Sequence, residues 1–184
     1  MKTIRLSTRD ALMEASFELL SRNPGASLAE IAEAAGVGRA TLHRYFSTRD
    51  ELLRSLALTA IAEMDAAAEG ATHDAETYGE ALRATLEVVI PLSTRHGFLA
   101  NEPISDDPEL TREYARQDEE VRELIDGAKS EGVFDPTVST TWIVQAYEYL
   151  LYAAWESVNE GEATPSQAAN LAWRTLTAGL GASA

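Results

Sequence analysis

The stretch EIAEAAGVGRATLHRYFSTRDELL, residues 30–53, decides the fold. An apolar helical pattern through Ile31, Ala32 and Ala35 stops at Gly36 and Gly38, then restarts at once with Arg39, Thr41, His43, Arg44 and Tyr45. So short a helix with so many basic, hydroxyl and aromatic groups is poor core material, because a buried charge is costly unless it is paired. Its outward side faces a partner. Two short helices separated by a tight glycine turn have the dimensions of a helix-turn-helix. Gly36 suits the turn, where positive φ is cheap only for glycine. Ile31, Ala35, Val37, Leu42 and Phe46 form the small core that fixes the crossing angle, which leaves Arg39, Ala40, Thr41, His43, Arg44 and Tyr45 outward. Guanidinium forks suit guanine edges, hydroxyl and phenol suit phosphates, and alanine suits a thymine methyl.

Working outward, the rest of the chain also reads as helix. Ser7 and Asp10 are spaced as a capping box and open a first helix that Asn23, Pro24 and Gly25 end. Ser27 with Glu30, and Thr48 with Glu51, give two more such boxes. The helix after Thr48 carries Leu52, Leu53, Leu56, Ile61 and Met64 on its apolar side, and residues 70–74 read as a loop. A helix over about 75–90 ends or kinks at Pro91, and a short element follows over about 92–100. Asp107 before Pro108, Asp135 before Pro136 and Thr164 before Pro165 are each read as a helix start, with Gly132 ending the helix that begins at 108. The class is all-α: an N-terminal three-helix domain, residues 1–55, and a C-terminal helical domain, residues 56–184.

Charge divides the chain the same way. The 184 residues carry a net −15, but residues 1–60 hold eight basic and seven acidic groups, whereas residues 61–184 hold seven and 23. That asymmetry assigns different partners to the two segments. Cysteine is absent, so disulfides and thiolate chemistry are excluded. No apolar run approaches the ~20 residues of a membrane span, and the N-terminus lacks the apolar core of a secretory signal, so a cytoplasmic protein with no membrane partner is expected. An enzyme would need a convergent set, and there is no Glu-x-x-His pair, no phosphate-cradling glycine loop and no zinc spacing. The expectation is no catalytic residue, no metal and no cofactor. The competing class is a helical interaction module that keeps the helix-turn-helix only as scaffold; the basic groups on the second short helix weigh against it.

The same residues resemble the signature of the TetR family of bacterial transcriptional regulators. The resemblance runs over roughly 8–56 and rests on Glu30, Ile31 and Ala32; Ala35, Gly36 and Val37; Thr41 and Leu42; Tyr45 and Phe46; then Arg49, Asp50, Glu51, Leu52 and Leu53. The family commonly has Ser where this chain has Gly38, Tyr where it has His43, and Lys where it has Arg49. The resemblance implies that Thr41, His43 and Tyr45 contact phosphate, that Arg39, Ala40 and Arg44 approach base edges, and that Arg49 pairs with phosphate beside the amides of its helix start. Lys2 and Arg5 are read as a tail or a minor-groove arm.

It further implies a homodimeric, ligand-responsive regulator, a repressor released from its operator by a small molecule. The helix over about 136–159 is apolar all round and must be covered on more than one side. In the resembling family it pairs, with the last helix, against their two-fold mates. Tyr149, Tyr152, Ala153 and Val158, with Ala169, Ala172, Trp173 and Leu176, are therefore assigned to the dimer interface. A two-fold pair also suits palindromic half-sites spaced about 34–36 Å or multiples of that. The effector-lining candidates, again by resemblance, are Val89, Phe98, Leu99, Tyr114, Val121, Trp142, Tyr147 and Leu151.

Overall fold

The computed structural model describes residues 7–101 and 107–180. Every regular element among them is helical, in the order α1 (Thr8–Leu20), α2 (Leu28–Ala34), α3 (Arg39–Tyr45), α4 (Arg49–Thr72), α5 (Tyr78–Val89), a 3-10 turn at Ile90–Leu92, α6 (Ser93–Asn101), α7 (Pro108–Ser130), α8 (Thr140–Asn159) and α9 (Pro165–Leu180). No helix of the described residues is long and apolar enough to cross a membrane. Lys2 and Arg5 lie outside the described residues.

Several starts follow the local chemistry read from the sequence. Ser7 accepts the Asp10 amide while Asp10 accepts the Ser7 amide, and Ser27 with Glu30 repeats the arrangement. Asp107 accepts the amides of Glu109 and Leu110 ahead of Pro108. At α4 the box is shifted: the Glu51 amide donates to Thr48 Oγ1 at 3.1 Å, but the Glu51 carboxylate accepts the Ser47 amide at 2.8 Å.

Three boundaries differ from the sequence reading. Helix α4 continues through Gly70 to Thr72, because one exposed glycine costs only about 1 kcal/mol against a long run of helix formers. Helix α5 begins at Tyr78 behind Thr77, three residues later than expected. Asp135 and Pro136 do not start α8. Asp135 Oδ1 instead accepts the Thr137 amide at 2.8 Å and its hydroxyl at 2.6 Å, closing a turn, and Ser139 caps the helix.

The described residues form two compact units, one of 7–61 with 94–101 and one of 62–93 with 107–180. This is not a single cut between residues 55 and 56. Helix α6 belongs with the first unit for a physical reason. Phe98, fully buried, meets the Phe17 ring edge-on with centroids 5.6 Å apart. The Arg95 guanidinium lies 4.4 Å from the Phe17 ring centroid and is 2.5 Å from a Glu14 carboxylate oxygen. The rest of that core comes from Leu12, Leu20, Ile31, Leu42, Phe46, Leu52 and Leu56, all buried.

The second unit has its own core, around Leu82, Leu86, Ile125, Phe134, Ile143, Val144, Tyr147 and Leu176. Carboxylates stitch its helices together. Glu131, just past α7, accepts the first two amides of α5, from Tyr78 at 2.9 Å and Gly79 at 3.1 Å. Arg116 on α7 is paired with Asp65 on α4 and with its own neighbours Glu113 and Glu120.

Candidate nucleic-acid interface

The site is built by α2, its turn and α3. Helix α2 ends where the Gly36 amide donates to Glu33 O and the Val37 amide to Ala32 O, both at 2.9 Å, with Gly36 at φ 67°. This is the left-handed residue that closes a helix C-terminus. Gly38 then takes extended backbone, φ −75° and ψ 151°, and starts α3 with no side-chain cap. Leu42 and Phe46 point inward and are buried, and the Arg9 guanidinium covers the Phe46 ring at 5.7 Å.

With that side fixed, Arg39, Ala40, His43 and Arg44 are exposed, and Thr41 and Tyr45 are half-buried beside them. Six of the seven expected contact residues thus lie on one seven-residue helix, four of them exposed and two half-buried. The Arg44 guanidinium stands 5.2 Å from the Tyr45 ring centroid, a cation–π placement that restrains a long side chain. A shallow groove runs between the start of α2 and α3, lined by Ser27, Leu28, Ala29, Arg39, Leu42 and His43. Its α2 wall was not singled out from the sequence, although the Ser27 cap marks where it begins. Hydrogen bonds from Ser27 hold the Glu30 carboxyl below its ordinary range, and the Ser47 amide does the same for Glu51, so both stay ionised at neutral pH.

The Arg49 guanidinium donates to the carbonyls of Pro24, at 2.6 Å, and Ala26, both in the loop before α2.

The effector-lining candidates are scattered. Phe98 is core of the first unit, and Leu99 is half-buried in the same unit. In the second unit Val89 and Tyr147 are buried, Val121 and Leu151 pack at the edge of the core, and Tyr114 is partly exposed. Burial pushes the Tyr114 phenol up. Trp142 is 65% exposed.

The expected dimer residues divide too. Tyr149, 71% exposed, Tyr152 and Ala153 lie on the outward side of α8. Val158 and Trp173 are partly buried, whereas Ala169, Ala172 and Leu176 are buried in the chain's own core and are not on an outward face. Leu171, 51% exposed, is on the open side of α9.

The family model for bacterial regulatory proteins of the tetR type matches residues 12–56. Over 158 residues the chain is 35% identical to the HTH-type transcriptional repressor LfrR of Mycolicibacterium smegmatis, spanning 85% of this chain and 82% of that protein. The chain belongs to the TetR family. It is accordingly a helix-turn-helix, DNA-binding transcriptional regulator, and the family is one of regulators rather than enzymes. Its fold superposes on the crystal structure of LfrR in complex with proflavine with a TM-score of 0.79, at 32% identity over 94% of this chain and 96% of that one. The structure of AibR with isovaleryl coenzyme A and operator DNA gives 0.78 at 18% identity, covering 93% and 98%, a likeness of fold alone. A shorter match, 45% over 51 residues and about a quarter of each chain, is to the transcriptional regulator NfxB of Pseudomonas aeruginosa.

Proposed function

We propose that this TetR-family chain is a cytoplasmic homodimeric repressor that holds a palindromic operator and releases it when a small molecule binds its C-terminal unit. The observation that carries the reading is the accessible surface of α3: Arg39, Ala40, His43 and Arg44 are exposed, with Thr41 and Tyr45 half-buried beside them, while Leu42 and Phe46 are buried. Arg39, Ala40 and Arg44 are assigned to base edges, and Thr41, His43 and Tyr45 to phosphates. The acidic second segment repels DNA and confines binding to the reading heads.

Support for the dimer comes from Trp142, Tyr149, Tyr152 and Leu171. These large apolar or aromatic groups are exposed on α8 and α9, and surface of that composition marks an interface more often than it faces water. For the effector, the reading draws on LfrR having been crystallised with proflavine, and on Val89, Tyr114, Val121, Tyr147 and Leu151 as apolar and aromatic groups of one unit. A ligand releases DNA only if it binds the DNA-free conformation better than the bound one.

The test is selection of bound duplexes from a random pool, followed by a salt series on the selected duplex with and without proflavine. Sedimentation is run alongside. A two-fold symmetric consensus, steep salt dependence and a dimer mass are expected. Single subunits that retain no duplex in dilute buffer would leave only the scaffold reading.

A further inference from the structure

Arg49 is the first residue of α4, and its half-buried side chain reaches back to the loop before α2. The Pro24 and Ala26 carbonyls that its fork meets lie 25 and 23 residues earlier in the chain. They belong to the loop in which the Ala26 amide donates to Asn23 O at 3.0 Å; Ala26 itself is fully buried, and the next residue, Ser27, caps α2. The other end of the contact is equally fixed. Buried Phe46 ends α3, the Ser47 amide is held by Glu51, and Thr48 accepts the Glu51 amide. One planar group therefore ties the entry of α2 to the exit of α3, and the reading pair sits inside the closed stretch.

Accepting the DNA-binding reading above, we infer that Arg49 is a positioning residue that sets the attitude of α2 and α3 on the duplex, and not a phosphate ligand. The chemistry distinguishes the two roles. A guanidinium presents donors in a rigid fork that meets two carbonyls at once, whereas an ammonium is a point charge on a flexible stem. A phosphate partner would accept lysine readily; a two-carbonyl clasp does not. Base-edge contacts need the reading helix in one orientation, while phosphate contacts tolerate small tilts, so a loosened clasp costs discrimination before it costs general affinity.

The experiment compares full-length wild type, Arg49→Lys and Arg49→Ala on the duplex selected by the wild type and on a scrambled duplex of equal length, across a salt series. Thermal unfolding of each variant is recorded, and Arg39→Ala, at a residue assigned to base edges, is the base-contact control. The expected result is that both Arg49 variants lose about tenfold on the selected duplex, hold the scrambled duplex within about twofold, and keep the wild-type salt slope. Hydrogen exchange on the DNA-free proteins adds a readout that needs no DNA, and the amides of residues 26–28 should exchange faster in Arg49→Lys. Arg49→Lys behaving as wild type, with Arg49→Ala losing equally on both duplexes and lowering the slope by about one, would overturn the inference. Unchanged exchange at residues 26–28 in Arg49→Lys would also overturn it. If the wild type holds no duplex, the DNA-binding reading fails instead, and the exchange result still decides whether the clasp exists.

Discussion

The Tyr147 hydroxyl donates to the carbonyl of Leu82 at 3.1 Å, joining α8 to α5 inside the second core. Tyr147 is 4% exposed, and burial pushes its phenol above the usual tyrosine range, so it is a donor at neutral pH. The Leu82 carbonyl also lies within α5, where the helical ladder supplies a second donor. Tyr147→Phe is therefore expected to cost about 0.5–1.5 kcal/mol, and Tyr147→Ala about 3–5 kcal/mol because it opens a cavity. Urea unfolding of the two variants checks the ratio, and equal losses would show that the hydroxyl, not the ring, dominates.

Arg44 is expected to read a base. Replacing it with alanine should cost about 1–3 kcal/mol on the selected duplex and relax base preference at one position in each half-site. Equal losses on selected and scrambled duplexes would assign it to phosphate.

Gly127 on α7 lies against the Tyr78 ring, and a methyl group there would overlap Cγ, Cδ1 and Cδ2 of that ring. Gly127→Ala should lose about 1–3 kcal/mol to overpacking, against about 1 kcal/mol recovered from helix propensity. In a Tyr78→Ala background the same change should stabilise. Calorimetric melting of the four proteins in the cycle reads the change of sign.

Gly36 and Gly38 should respond in opposite directions. At φ 67° an alanine at 36 is strained by roughly 1–2 kcal/mol, although nothing crowds its side chain. Gly38 has ordinary extended backbone and open space, so Gly38→Ser adds a cap to α3 and should stabilise by a few tenths of a kcal/mol. Thermal midpoints of the two variants suffice.

Hydrogen bonds from Ser27 and Ser47 hold the Glu30 and Glu51 carboxyls below the ordinary carboxylate range in the folded protein. Their contribution is present above the unfolded value and is lost as pH falls through the folded one. Glu30→Gln with Glu51→Gln should therefore be less stable than wild type at pH 7, and the gap should narrow as the buffer is taken below the ordinary carboxylate range. A gap that widened in acid, followed by circular dichroism of melting, would reverse the assignment.

Much of this architecture was legible because its causes are local. The Ser27 and Glu30 box, the turn at Gly36 and the inward Leu42 and Phe46 are set within a few residues of each other. Local chemistry also misled: an Asp before a Pro caps α7 at 107, but at 135 the same pair closes a turn. Long-range facts were invisible. The pairing of Arg49 with carbonyls more than twenty residues away competes with the phosphate role that the family resemblance implied. Likewise an apolar last helix does not reveal its rotation, and Ala169, Ala172 and Leu176 turned out to cover their own core.

The membership of α6 in the first unit bears on anyone who would cut this protein into modules. A fragment ending at residue 61 would retain Phe17 and Glu14 but leave behind Phe98 and Arg95, exposing an aromatic ring and stranding a carboxylate. Grafting the reading head onto another regulator therefore requires two separate pieces of chain, and a chimera spliced only within α4 should be sticky and poorly folded.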